Sequence, residues 1–113
     1  MKNKILKNIN ELVDVYTEFK SSDKRREKFK QIIPDITESK IKELWDYLED
    51  FDEYCVGFGD KLAEKYRTPF VPDNNEAKND VQKYVSLCQE KYPEIDERHI
   101  LGIFNKVCWL ANR

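Results

Sequence analysis

The longest helical repeat of the 113-residue chain lies in residues 38–66, which read ESKIKELWDYLEDFDEYCVGFGDKLAEKY. Apolar side chains recur there at steps of three and four residues, which places them on one face of an α-helix. These residues are Ile41, Leu44, Trp45, Leu48, Phe51, Cys55, Phe58, Leu62 and Tyr66. Thr37 is the predicted N-cap, and Glu38 follows it where the helix dipole favours a carboxylate. Gly57 and Gly59 weaken the pattern, so a kink between them stays open as an alternative.

The same periodicity predicts four further helices, at about residues 4–20, 24–32, 74–91 and 97–111. Pro34 ends the second of these helices, because proline disfavours helical geometry at the residue before it. Asp73 and Glu76 resemble a capping box at the start of the helix at residues 74–91, and Asp96 is the predicted N-cap of the helix at residues 97–111. Since no stretch of period-two alternation competes, we predict an all-α fold. It is a single domain of residues 1–113, a bundle of four main helices and one short helix.

The composition excludes several classes of protein. Hydrophobic residues make up 40 % of the chain and charged residues 37 %, and the apolar positions are too regular for a disordered chain. The apolar runs are too short for a membrane-spanning helix, and residues 1–10 lack the apolar stretch of a signal peptide. We therefore expect a cytoplasmic protein. The richness in Lys, Asn, Ile, Asp and Glu favours a bacterial or phage origin.

The sequence contains no motif of catalysis or metal binding. Cys55, Cys88 and Cys108 are far apart, and only His99 could join them around an ion. Structural zinc needs four closely spaced ligands, so we expect free, buried thiols instead. His99 is expected at the surface or in a capping turn of the last helix. We expect no enzyme activity, no cofactor and no metal.

The net charge of −2 is a sum of unlike segments. Residues 1–34 carry nine Lys or Arg against five Asp or Glu, which gives +4. Residues 35–66 carry four basic and ten acidic residues, which gives −6, and residues 67–113 are balanced with seven of each. Such polarity along a chain bears on association more than on fold.

Most of the acidic excess falls on one side of the predicted central helix. With about 100° per residue, the acidic residues of this side are Glu43, Asp46, Glu49, Asp50, Glu53, Asp60 and Glu64, and Tyr47 and Tyr54 flank them. Carboxylates steer encounter with a basic protein and tyrosine supplies contact area, whereas carboxylates repel phosphate. We therefore predict a non-catalytic module that binds a basic partner protein, for example as an immunity protein of a toxin or an inhibitor of a nucleic-acid-handling enzyme. The predicted contact residues are Glu43, Asp46, Tyr47, Asp50, Glu53 and Tyr54, together with Trp109.

Trp109 stands opposite the apolar face of the last helix. It is expected to pack on the loop of residues 67–72, or to anchor a partner or a homodimer. The basic segment of residues 20–30 offers a second alternative, a nucleic-acid-binding or regulatory domain. Asp52 lies inside the apolar face, where a carboxylate needs a partner from Lys24, Arg25 or Arg26, a place at the bundle edge, or a functional role.

Overall fold

The computed structural model describes residues 3–113, and over that range the fold is all-α. The predicted fold class is confirmed. The helices are α1 (Asn3–Lys7), α2 (Ile9–Glu18), α3 (Ser22–Ile32), α4 (Glu38–Tyr66), α5 (Asn75–Lys91) and α6 (Glu97–Asn112).

The first predicted helix, at residues 4–20, is wrong as a single element, because Asn8 divides it into α1 and α2. The Asn8 side chain donates a hydrogen bond to the carbonyl of Lys4 at 2.8 Å. A regular helix would bring the Asn8 backbone N–H to that carbonyl, but here the N–H bonds to the carbonyl of Ile5 at 3.2 Å. The competing side-chain amide therefore tightens the turn and interrupts the helix.

Side-chain caps fix three of the other helix starts. The hydroxyl of Ser21 accepts from the Lys24 N–H at the start of α3 (3.4 Å), and Thr37 accepts from the Lys40 N–H at the start of α4 (3.3 Å). At α5 the predicted capping box at Asp73 is wrong, because Asn74 accepts from the Ala77 N–H at 2.8 Å. Each cap satisfies one of the unpaired N–H groups of a helix N-terminus.

The central helix α4 is continuous across both glycines, so it does not break there. Gly59 is buried, and a Cβ atom added there would lie 3.0 Å from the Cβ of Val107 in α6. Its missing side chain therefore lets α4 and α6 approach closely. Gly57 is exposed, and no atom lies within 4 Å of its added Cβ.

The chain divides into two compact units, Met1–Asp50 and Phe51–Arg113, and α4 contributes residues to each. The single-domain organisation stays a prediction. In the first unit, Trp45 meets Tyr16 and Phe29 edge to face, with ring centroids 6.0 and 6.3 Å apart. The buried apolar residues of this unit are Ile5, Ile9, Leu12, Val13, Val15, Phe29, Ile33, Ile41, Leu44 and Leu48.

In the second unit, aromatic rings line the contact between α4 and α5. Phe58 stacks on Tyr84 at 4.9 Å, and Phe51 meets Tyr92 edge to face at 5.2 Å. His99 is buried with 8 % of its surface exposed, so its expected surface position is wrong. It does lie in the first turn of α6, where its N–H bonds to the carbonyl of Asp96.

Candidate functional site

The acidic surface of α4 is composed of the carboxylates of Glu43, Asp46, Asp50 and Glu53, and all four residues are exposed. Glu43, Asp46 and Asp50 are spaced by three or four residues on the part of α4 that belongs to the first unit, so their side chains follow one another on the same side of the helix. Glu53 belongs to the second unit. The exposure of these carboxylates agrees with the sequence pattern, and their role in binding stays a prediction.

Few cations neutralise this acidic surface. Lys40 pairs with Glu43 at 2.9 Å, one turn before the other carboxylates. Within residues 3–113, Asp46, Asp50 and Glu53 form no ion pair. Asp46 and Asp50 are also like charges at i,i+4, an arrangement that destabilises an isolated helix by a few tenths of a kcal/mol, about 0.2–0.5. The geometry thus leaves a cluster of negative charge open to solvent.

The two tyrosines beside the acidic surface are both half-buried. The Tyr54 ring lies 5.2 Å from that of Phe58 and 5.9 Å from that of Tyr92, and the ammonium of Lys91 sits 4.3 Å from its centre. Tyr54 therefore contributes to the aromatic contacts of the second unit. Tyr47 belongs to the first unit and also has contacts within the protein.

The basic segment of residues 20–30 is occupied mainly by contacts within its own unit. Arg26 and Lys30 both pair with Glu38 in the first turn of α4, Lys30 at 3.2 Å. The hydrogen bond from Lys30, together with the charge of Arg26, lowers the pKa of Glu38 below its ordinary value. Lys24 lies 4.0 Å from Glu27. A nucleic acid would therefore have to compete with carboxylates for these cations.

Arg25 has a structural position that its sequence context did not reveal. Its guanidinium donates hydrogen bonds to the backbone carbonyls of Phe19 and Tyr16, the latter at 2.7 Å. These carbonyls lie at the end of α2, where helix acceptors lack partners. The same group sits 4.0 Å from the centre of the Tyr16 ring and 5.0 Å from that of Trp45. Arg25 thus caps α2 and joins the aromatic contacts of the first unit.

Trp109 is 45 % exposed on α6, and its predicted contact with the loop of residues 67–72 or with a partner stays a prediction. The guanidinium of Arg113 lies 5.2 Å from its ring. Nearby, the side chain of Asn112 donates hydrogen bonds to the carbonyls of Ala63 and Thr68, so the end of α6 is held against the loop after α4. The exposed indole remains available for a contact outside the chain.

An open cleft of about 740 Å³ lies in the first unit. Its lining residues are Lys4, Ile5, Ile33, Asp35, Ile36, Thr37 and Lys40. Lys4 pairs with Asp35 at 2.9 Å, and this hydrogen bond lowers the pKa of the carboxyl. Because Lys40 is paired with Glu43 as well, both cations of the cleft already have acidic partners.

A second polar cluster lies on the other unit, between α4 and α5. Asp80 accepts hydrogen bonds from the ammonium of Lys65 and the hydroxyl of Tyr66, both at 2.6 Å. Lys65 also pairs with Glu76 at 2.9 Å. The contacts with Lys65 and Tyr66 lower the pKa of Asp80, and those with Asp80 and Glu76 raise the pKa of Lys65. The cluster links α4 to α5 by charge, a role that needs no ligand.

The three cysteines are free and buried, as predicted. Cys55 and Cys88 lie with their sulfur atoms 3.6 Å apart, a contact between α4 and α5 that the sequence pattern did not reveal. Asp52 is half-buried in the turn before Cys55. Among the described residues, no group of three or more His, Cys, Asp or Glu is arranged to hold a metal ion.

No helix among residues 3–113 is long and apolar enough to span a bilayer. Comparison with protein-family models, with curated proteins and with solved structures finds no match to this chain.

Proposed function

We propose that this protein binds a basic partner protein through the acidic surface of α4, with Asp46 and Asp50 at its centre. The observation that carries the proposal is that Asp46 and Asp50, one turn apart on α4 in the first unit, are exposed and form no ion pair within residues 3–113. A partner presenting Lys or Arg side chains would relieve the repulsion between these carboxylates and gain complementary charge.

The neighbouring side chains support a protein rather than a small ion as the ligand. Tyr47 and Tyr54 are half-buried, so their rings are held in place and supply contact area at low entropic cost. Nucleic acid does not fit this surface, because its phosphates would meet carboxylates. The basic segment of residues 20–30 is also a poor nucleic-acid site, because Arg25, Arg26 and Lys30 already form hydrogen bonds or ion pairs within the protein.

An inhibitor or immunity protein is the biological role that this chemistry fits best. Enzymes that act on nucleic acids present basic surfaces to phosphate, and an acidic helix that covers such a surface would block substrate. Electrostatic attraction would also speed the encounter of the two proteins. We therefore infer a partner of this basic class, bound without any catalytic step on this chain.

Charge reversal tests the proposal with a control on the same helix. The double variant Asp46→Lys/Asp50→Lys removes two carboxylates at i,i+4 from the acidic surface. The variant Asp60→Lys/Glu64→Lys makes the same change at two exposed carboxylates further along α4. We expect affinity capture from the host to recover a basic protein with the wild type and the control, but not with the first variant. Recovery of that protein by Asp46→Lys/Asp50→Lys, with an unchanged circular dichroism spectrum, would overturn the proposal.

A further inference from the structure

Two buried free thiols, those of Cys55 and Cys88, meet between α4 and α5 in the second unit. Both side chains are fully buried, at 0 % exposure, one on α4 and one on α5. Their sulfur atoms are 3.6 Å apart, and a disulfide bond is about 2.05 Å long, so a relative movement of about 1.5 Å would join them. Cys108 is buried on α6 but forms no hydrogen bond with another sulfur among residues 3–113.

We propose that Cys55 and Cys88 form a redox-modification site, at which a hydroperoxide oxidises the two thiols to an intramolecular disulfide between α4 and α5. The proposal is independent of the acidic surface, because no residue of that surface takes part in it.

The hydrogen bond between the two sulfur atoms gives them different roles. The thiol of Cys55 donates to the sulfur of Cys88, which lowers the pKa of Cys88 although burial opposes the change. The same hydrogen bond, burial and the charge of Asp52 raise the pKa of Cys55. Since the thiolate is the nucleophile, Cys88 is the residue that attacks the oxidant, and Cys55 is the one that resolves the product.

The oxidation then proceeds in two steps. The Cys88 thiolate attacks one oxygen of the hydroperoxide, the O–O bond breaks, and the departing oxygen takes a proton to leave as water or an alcohol. The sulfur of Cys55 next attacks the resulting sulfenic acid, so that an S–S bond forms while the S–O bond breaks. The released hydroxide takes the proton of Cys55 and leaves as water. The two thiols lose two electrons and two protons, and the hydroperoxide accepts them.

A small oxidant can reach the pair through the end of α5. Cys88 lies in the last turn of this helix, where its carbonyl accepts the Tyr92 N–H at 2.8 Å. Helix ends open locally at a lower free energy than helix centres. Opening of this turn, which also releases Lys91 and Tyr92 from the Tyr54 ring, would expose Cys88 to a molecule of the size of hydrogen peroxide.

Peptide mapping of the wild-type protein tests the proposal. The reduced full chain is treated with hydrogen peroxide, quenched with catalase, unfolded and alkylated, so that only unoxidised thiols react with the alkylating reagent. We expect a Cys55–Cys88 linked peptide within one chain, an alkylated Cys108, and recovery of all three thiols with dithiothreitol. Three results would each overturn the proposal. They are oxidation of Cys108 before Cys55 and Cys88, a disulfide between two chains, and full alkylation of Cys55 and Cys88.

Two single variants test the assignment of roles. In Cys55→Ala the oxidation should stop at the sulfenic acid of Cys88, which dimedone labels. In Cys88→Ala the remaining thiol of Cys55 should stay reduced under the same treatment. Dimedone labelling of Cys55 in Cys88→Ala, at the rate seen for Cys88 in the other variant, would reject the assigned roles. The wild-type map decides whether the disulfide forms even where one variant fails to fold.

Discussion

The ammonium group of Lys91 lies 4.3 Å from the centre of the Tyr54 ring. This contact ties the last turn of α5 to the middle of α4. It adds a cation–π interaction to the edge contact of Tyr54 with Phe58 and to its tilted contact with Tyr92. Tyr54 was predicted only as a partner-binding residue, but its ring also holds the two helices of the second unit together.

The substitution Tyr54→Ala should therefore destabilise the protein even in the absence of a partner. Loss of a half-buried ring is expected to lower the free energy of unfolding by about 2 kcal/mol, and Lys91→Ala by about 0.5–1 kcal/mol. Tyr54→Phe is the matched control, because it keeps the ring and should change stability little. Urea denaturation followed by circular dichroism measures all three. Equal stability of Tyr54→Ala and the wild type would contradict the assigned contacts.

Arg25 should prove more important than its exposed basic neighbours. Arg25→Lys removes the planar group that donates to two backbone carbonyls and stacks on Tyr16, and lysine cannot restore this fork. We expect a loss of about 2 kcal/mol in the free energy of unfolding. The control Arg26→Lys changes an exposed ion pair with Glu38 and should cost less than about 1 kcal/mol. A smaller loss for Arg25→Lys than for Arg26→Lys in urea denaturation would refute the capping role.

Replacement of each glycine of α4 by alanine should change the stability of the protein in opposite directions. Gly57→Ala places a methyl group in open space and should stabilise the protein by up to about 1 kcal/mol, since alanine is the better helix former. Gly59→Ala places the methyl group 3.0 Å from the Cβ of Val107, and the resulting overpacking should destabilise by about 1–3 kcal/mol. Thermal unfolding of the two variants gives the comparison. A higher melting temperature for Gly59→Ala than for Gly57→Ala would show that α4 and α6 do not approach as closely as described.

The Asp80 cluster predicts a dependence of stability on pH. Hydrogen bonds from Lys65 and Tyr66 hold the pKa of Asp80 in the folded protein below its ordinary value of 3.8. A carboxyl group with a lowered pKa stabilises the fold above its unfolded pKa, and this contribution is lost as the pH falls through the folded pKa. The stability advantage of the wild type over Asp80→Asn should therefore be present at neutral pH and shrink as the pH falls below 3.8.

Urea denaturation at a series of pH values measures this difference. As a control, Asp80→Asn is also introduced into the Lys65→Met variant. Because Lys65 no longer donates to Asp80 there, the stability difference caused by Asp80→Asn should depend less on pH. A constant difference between wild type and Asp80→Asn down to acidic pH would show that the cluster does not act on the ionised carboxylate.

Periodicity in the sequence predicted the helices where a single pattern decides them. The apolar repeat of α4 predicted the bounds of this helix and the exposure of Asp46 and Asp50, because the bounds and the exposed side both follow from 3.6 residues per turn. The break at Asn8 was missed, since a side-chain amide that competes for a carbonyl does not change the apolar spacing. Asp73 and Asn74 are both good N-caps, and only the backbone geometry selects Asn74.

Contacts between helices could not be predicted in the same way. Cys55 and Cys88 were each placed on an apolar face, but the register between α4 and α5 decides that their sulfur atoms meet. The reach of Arg25 to the end of α2 depends on the conformation of the connection before α3. These features need the relative position of two elements, which a pattern along one element does not contain.

The binding of a basic partner through α4 is the central claim, and titration calorimetry with the captured partner tests it most directly. Wild type and Asp60→Lys/Glu64→Lys should bind with similar affinity, which should fall as the salt concentration rises. Asp46→Lys/Asp50→Lys should show no binding at any salt concentration while it unfolds at a similar temperature. Equal affinity of the two double variants for the partner would contradict the claim.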